Sequence, residues 1–193
     1  MSLISRAKGL ILAPRKEWDA ITTEDVAIPD LYRNYILYLA AIPPFASFIS
    51  SWLFGFYSRA TLTYVHSTFG AGLWRALVQY ALSLPAIFII AFVLSMAAPY
   101  FEGETNDRRA LTLAAYAYTP AWLAAGFGLV PGLRFLDFLG FWGVYIFYLG
   151  ATRMLGVPKD NVDVFTVVAL AVTMATSALH GRIVHLIAPG LMV

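Results

Sequence analysis

The sequence predicts an all-α polytopic membrane bundle, with five transmembrane helices behind an N-terminal interfacial helical region. Three observations carry that prediction. Of 193 residues, 60% are hydrophobic and only 12% are charged, whereas a soluble domain is about 45–50% apolar and about 25% charged. The intervals free of Asp, Glu, Lys and Arg include 34–58, 76–101, 110–133, 138–152 and 164–181, of 25, 26, 24, 15 and 18 residues. The basic residues are also divided unevenly between the two ends of these intervals. Soluble globular, disordered and nucleic-acid-coating classes fit poorly, because too little charge remains to solvate a surface or an unfolded chain.

A bilayer core about 30 Å thick needs roughly 20 helical residues. The first three intervals suffice alone. The fourth needs Asp137 or Arg153 near the interface, and the fifth needs Arg182 to snorkel from a helix that begins near Asp163. The resulting helices are 35–57, 75–99, 110–130, 133–154 and 163–186, within a membrane domain of residues 34–193. Four spans is the alternative count. Short connections make antiparallel neighbours, and long uncharged intervals favour helices over a barrel. Five crossings put the termini on opposite sides. With the N terminus in the cytosol, that side receives Arg6, Lys8, Arg15, Lys16, Arg33, Arg108, Arg109, Arg153 and Lys159, against Arg59, Arg75, Arg134 and Arg182 outside. Nine against four is the positive-inside asymmetry, and it places the C terminus on the opposite face.

Residues 1–33 form a region of different composition, with five positive and five negative side chains. Leu3, Ala7, Leu10 and Ile11 approximate one helical face, while Arg6 and Lys8 can reach headgroups. Pro14 can open a second short helix carrying Arg15, Lys16, Glu17, Trp18 and Asp19. Trp18 suits an interfacial anchor, since its ring has apolar area and a polar edge. The opening residues lack the long apolar core and small-residue cleavage site of a signal peptide. With Asp30 and Tyr32 at the entry to the first span, Arg15, Lys16, Glu17 and Trp18 make the candidate surface for membrane lipids or a cytosolic protein partner.

Pro43-Pro44, Pro85 and Pro120 are expected to bend or interrupt the first three spans, because each removes an amide donor from a helix. Alanines and glycines crowd the third span, where Tyr116 and Tyr118 add polar handles. Gly140 and Gly143 provide a close-contact site in the fourth. Small faces of this kind serve packing within the bundle or in a homo-oligomer. The polar groups Gln79, Asp137, His180 and Arg182 are explained by placement at helix ends. The alternative is a polar path between proline-interrupted helices.

Catalytic chemistry finds no support. The absence of cysteine excludes disulfides, thiol catalysis and cysteine-rich metal sites. His180 and His185 lie five residues apart without the HExxH arrangement of zinc hydrolases. Gly70 and Gly72 sit in no phosphate-loop context. Glu102, Glu104 and Asp107 read as a hydrated turn rather than a calcium cage, which needs several converging oxygens. No metal, cofactor, nucleic acid or enzymatic reaction is therefore expected.

Several short motifs together resemble the Yip family of Ypt/Rab-interacting membrane proteins, in its broader bacterial and archaeal branch. They are P-x-x-x-W-x-x-I from Pro14 to Ile21, Pro29-Asp30-Leu31-Tyr32 before the first span, Tyr116-Ala117-Tyr118-Thr119-Pro120 in the third, and Tyr148-Leu149-Gly150 through Pro158 after the fourth. Arg33-Asn34 stand where family members often have Gly-Pro. The resemblance implies a cytosolic N-terminal region, a C terminus on the opposite side and a role in membrane organisation, with no reaction. The expected protein is an integral membrane scaffold or organiser of a prokaryotic cytoplasmic (inner) membrane. The alternative function is a small ion or solute transporter or channel.

Overall fold

The computed structural model describes residues 2–58 and 62–189. Arg59, counted above on the outer side, lies outside the described residues. The fold is all-α and 80% helical. A two-stranded ribbon, β1 (Phe56–Ser58) paired antiparallel with β2 (Thr63–Val65), is an addition the sequence patterning did not disclose.

Two short helices come first. In α1 (Leu3–Leu12) the hydroxyl of Ser2 accepts from the Ser5 amide at 3.3 Å, capping an otherwise unpaired donor. The chain turns at Ala13, and Pro14 opens α2 (Pro14–Ile21), where its missing amide costs nothing.

The first long segment begins earlier than expected and is built in pieces. It comprises α3 (Ile28–Leu31), a π-helical turn over Tyr32–Ile36, α4 (Leu37–Leu39) and α5 (Ile42–Leu53). Arg33 and Asn34 are admitted because both face outward from that π turn. Pro43 and Pro44 fall in the first turn of α5, so they start a helix rather than sit inside one. In contrast, α6 (Phe69–Ala97) runs unbroken through Pro85 and continues as a 3-10 turn over Ala98–Phe101. Next to that proline, the Leu84 carbonyl accepts the Tyr32 hydroxyl at 2.8 Å.

The third segment departs furthest from a single rod. It consists of α7 (Asp107–Ala117), a turn at Tyr118, α8 (Thr119–Ala124) and a 3-10 stretch over Ala125–Leu129. Pro120 lies in the first turn of α8, and the Thr119 hydroxyl approaches the Ala115 carbonyl at 3.4 Å across the junction. A second 3-10 stretch, Pro131–Phe141, leads into α9 (Trp142–Met154), and α10 (Val162–Ile187) completes the bundle.

Among the described residues four helices, rather than the five expected, are long and apolar enough by themselves to cross a membrane. They are Ile28–Leu53, Phe69–Phe101, Pro131–Met154 and Val162–Ile187. The stretch 107–129 is divided by its turn and is not among them.

Connections between the long segments meet at two ends of the bundle. At one end the Glu104 amide donates to the Leu155 carbonyl at 2.7 Å, and Asn161 donates to the Phe101 carbonyl at 3.4 Å. At the other, the Ser67 amide reaches the Ser51 carbonyl at 3.2 Å, and Arg75 reaches the Ala188 carbonyl at 3.1 Å. The first half of the third segment is the centre: every residue from Ala110 to Ala117 is buried. The outer faces of α6 and α10 instead expose Phe88, Ile89, Phe92, Val93 and Met96, and Val164, Val167 and Met174. An apolar exterior of this extent matches a lipid solvent.

Glycine sets the closest approaches. A Cβ at Gly140 would stand 3.1 Å from the Ala121 Cα, and one at Gly143 would collide with the Ala117 carbonyl oxygen. A Cβ at Gly150 would stand 2.5 Å from the Trp18 ring and 2.6 Å from Leu113. Gly150→Ala should therefore destabilise the bundle by about 1–3 kcal/mol through overpacking. The midpoint of an SDS unfolding titration in mild detergent checks this, and an unmoved midpoint would refute it.

Candidate functional site

Polar chemistry gathers in two places. The first is a clamp beneath α1 and α2. Pro14, Glu17, Trp18 and Ile21 share the inner face of α2, at the spacing one helical stripe requires. Trp18 is fully buried, its indole N–H donating to the Ile146 carbonyl at 3.0 Å, with its ring 6.1 Å from that of Tyr116. The inner face of α1 carries Arg6, Ala7 and Leu10. Between the two helices Gly9 sits so close to the Glu17 carboxylate that any side chain there would overlap it.

Arg6 is the hub of the clamp. Its guanidinium donates to Glu17 at 2.7 Å and to Glu24 at 2.5 Å, and lies 5.6 Å from the centre of the Tyr116 ring. Arg6 is 4% and Glu17 8% exposed, so this is a desolvated pair that must hold its partners to be tolerated. Burial works against the Arg6 charge. The hydrogen bond to Glu24 and the fields of Tyr116, Glu24 and Glu17 more than restore it, raising its pKa above the ordinary arginine value. Deeper in, Tyr116 meets Tyr35 edge-on at 4.8 Å, and the Tyr35 and Thr119 hydroxyls share a hydrogen bond of 2.7 Å. At the rim, Arg153 pairs with Asp19 at 2.7 Å and Arg108 pairs with Asp25. At the far end of the pair, the Trp142 indole donates to the Ile11 carbonyl at 3.2 Å.

The residues expected at a lipid or partner surface are thus divided. Arg15, Lys16 and Asp30 are exposed. Glu17 and Trp18 are inside the clamp, and half-buried Tyr32 is turned to the Leu84 carbonyl. The physical reason is that α2 offers its Trp and Glu to a bundle that supplies an indole acceptor and a counter-charge, which a bilayer interface would not supply together.

The polar residues expected along a path do not line one cavity. Gln79 and His180 meet where α6 faces α10, with the His180 Nε2 buried and without a hydrogen-bond partner. Arg182 is exposed and makes no ion pair among the described residues. Asp137, itself exposed, lies in the second gathering place, a half-open apolar chamber of about 500 Å³ lined by α6, the third segment, Pro131–Met154 and α10. Tyr118 also lines it. The Tyr118 hydroxyl is buried near Thr173 and Ser177, yet makes no hydrogen bond of good geometry. Among the described residues no three His, Asp or Glu side chains gather as metal ligands would.

Neither the clamp nor the chamber was disclosed by motif spacing. Arg6 sits on the apolar stripe with Leu3, Ala7 and Leu10, so its place in the pattern was a sign of burial. Its partner Glu24 lies beyond the end of α2, where helical periodicity carries no information.

Apolar outer faces, charged ends and internally satisfied helices define a polytopic α-helical membrane protein. The chain belongs to the Yip1 domain family, which it matches over residues 8–179. It is similar to the inner membrane protein YohC of Escherichia coli strain K12, at 25% identity over 173 residues covering 88% of each chain. The YohC protein of Escherichia coli O6:H1 strain CFT073 is similar to the same extent, again 25% identical with 88% of each chain covered. No solved structure matches.

Proposed function

We propose that this protein is a non-catalytic organiser of a cytoplasmic (inner) membrane that crosses the bilayer five times and holds α1 and α2 against its cytosolic leaflet. The observation that carries this reading is the clamp. While Trp18 and Arg6 fasten the pair inward, Lys8, Arg15 and Lys16 remain exposed and without ion pairs among the described residues, and Ile4 and Leu12 are exposed beside them. Basic groups next to apolar side chains suit acidic headgroups and the adjoining acyl chains. Because the clamp orders the pair in advance, lipid binding loses little conformational entropy.

Connections that meet at two common ends and the burial of Ala110–Ala117 support five crossings, since a divided helix is tolerated at membrane depth when protein surrounds it. The location given for the YohC relatives supports the inner membrane, and the lysine and arginine asymmetry supports a cytosolic N terminus with the C terminus opposite. Gly140 and Gly143 are occupied by contacts within the chain, so self-association or a cytosolic partner would use other, exposed faces. The chamber that Asp137 lines does not include Gln79, His180 or Arg182, which favours this reading over a channel.

Reconstitution into vesicles tests it. The wild-type protein should slow the diffusion of a fluorescent phosphatidylglycerol severalfold more than that of phosphatidylcholine, and the triple variant Lys8→Glu, Arg15→Glu, Lys16→Glu should remove the difference. Equal diffusion of the two lipids around the wild-type protein rejects the lipid-organising role. Tags on the two termini found on the same side of the membrane would reject five crossings.

A further inference from the structure

We infer that the chamber between α6, the third segment, Pro131–Met154 and α10 binds a hydrophobic organic monocation, with the Asp137 carboxylate as counter-ion. This goes beyond the organising role and does not depend on it. The chamber's volume of about 500 Å³ falls within the roughly 300–1,000 Å³ typical of small-molecule sites, which are mostly apolar with a few placed polar groups. Its walls follow that pattern: Ile90, Leu94, Val144 and Ala169 are apolar, and Asp137 is the one charged residue lining it.

Asp137 is the feature that selects the ligand. Every ion pair among the described residues belongs to Glu17, Asp19, Glu24 or Asp25, all in the N-terminal region. Asp137 makes none, even with Arg134 one 3-10 turn earlier. It stands six residues inside the Pro131 end of a spanning helix, about 12 Å along a 3-10 rise. Its side chain is exposed, so the carboxylate is open to a partner that enters the chamber.

The alternatives fail on the same chemistry. An inorganic cation needs several converging oxygens, and one carboxylate does not provide them. An anion is repelled. A neutral acyl chain fills the apolar volume but leaves the carboxylate uncompensated. A delocalised cation on an apolar body satisfies both, and the aromatic residues Tyr118, Phe141 and Phe147 are among those lining the chamber. The buried Tyr118 hydroxyl, close to Thr173 and Ser177, is a second polar group at the wall. Phe141 and Met174, both strongly exposed, mark a mouth on the lipid-facing surface. A hydrophobic cation concentrates in lipid, so entry from the side is its natural route.

The test is equilibrium dialysis of tetraphenylphosphonium against the full-length protein in lipid nanodiscs, corrected for empty nanodiscs. Saturable binding of one cation per chain is expected, weakened at least tenfold in Asp137→Asn and largely retained in Asp137→Glu. Thr173→Phe, which fills the chamber from α10, should abolish binding; if that variant does not fold, the exposed position 137 still decides the matter. Non-saturable uptake, or equal affinity in Asp137→Asn, overturns the proposal. Equal binding of an uncharged tetraphenyl analogue would overturn the cation assignment and leave a lipid-like occupant.

Discussion

Arg6→Leu should destabilise the folded protein by about 3–5 kcal/mol, because it leaves the Glu17 carboxylate buried without its partner. The effect is large for a residue outside the spanning helices. Glu17 is 8% exposed and 2.7 Å from the guanidinium it would lose, so water cannot replace the missing charge without opening the clamp. Glu24, on the rim, is exposed and can be rehydrated, so Glu24→Gln should cost far less. The double variant Arg6→Leu, Glu17→Leu should recover most of the loss, since two apolar side chains impose no desolvation penalty on each other. SDS titrations of these variants, of Glu17→Leu and of the wild-type protein measure the Arg6–Glu17 cycle. If the double variant is no better than Arg6→Leu, the loss belongs to packing and the ion pair is not the cause.

Trp18→Ala should cost a similar amount, about 3–5 kcal/mol, through a different term. The indole is fully buried, and Gly150 and Leu113 close against it, so its removal leaves a cavity that those rigid neighbours cannot fill. Its hydrogen bond to the Ile146 carbonyl is lost as well. Trp18→Phe keeps most of the apolar area but not the donor, and should fall between the two. Limited proteolysis reports where the damage lies. The expected result is early cleavage between residues 12 and 30 with the remaining bundle intact; uniform cleavage along the chain would show that the pair is part of one cooperative unit instead.

The membrane character and the later helices were legible because lipid imposes a simple rule on exposed side chains. α10 begins and ends within one residue of its expected bounds, and the helix ending at Met154 begins two residues early. The first segment begins seven residues before the expected position 35, because Arg33 and Asn34 can turn outward and absence of charge was a stricter criterion than the fold applies. The third segment is apolar for another reason altogether. From Ala110 to Ala117 its alanines are buried among neighbouring helices, so its composition there reports burial in protein, which charge counting cannot distinguish from burial in lipid. Trp18 was misplaced by the same ambiguity. A tryptophan among arginine, lysine and glutamate fits an interface equally well as a clamp, and only the third dimension supplies Ile146 and Arg6.

The long-range hydrogen bonds between side chains and main chain have a consequence for how such a sequence can change. Trp18, Tyr32, Tyr80, Arg75 and Trp142 donate to the carbonyls of Ile146, Leu84, Leu37, Ala188 and Ile11. A carbonyl is present whatever residue carries it. Each tie therefore constrains one position of the pair and leaves the other free to drift, provided the helix keeps its place. A bundle fastened in this one-sided way can exchange most of its apolar residues without dissolving its joints, which is compatible with a shared architecture at the 25% identity that separates it from YohC.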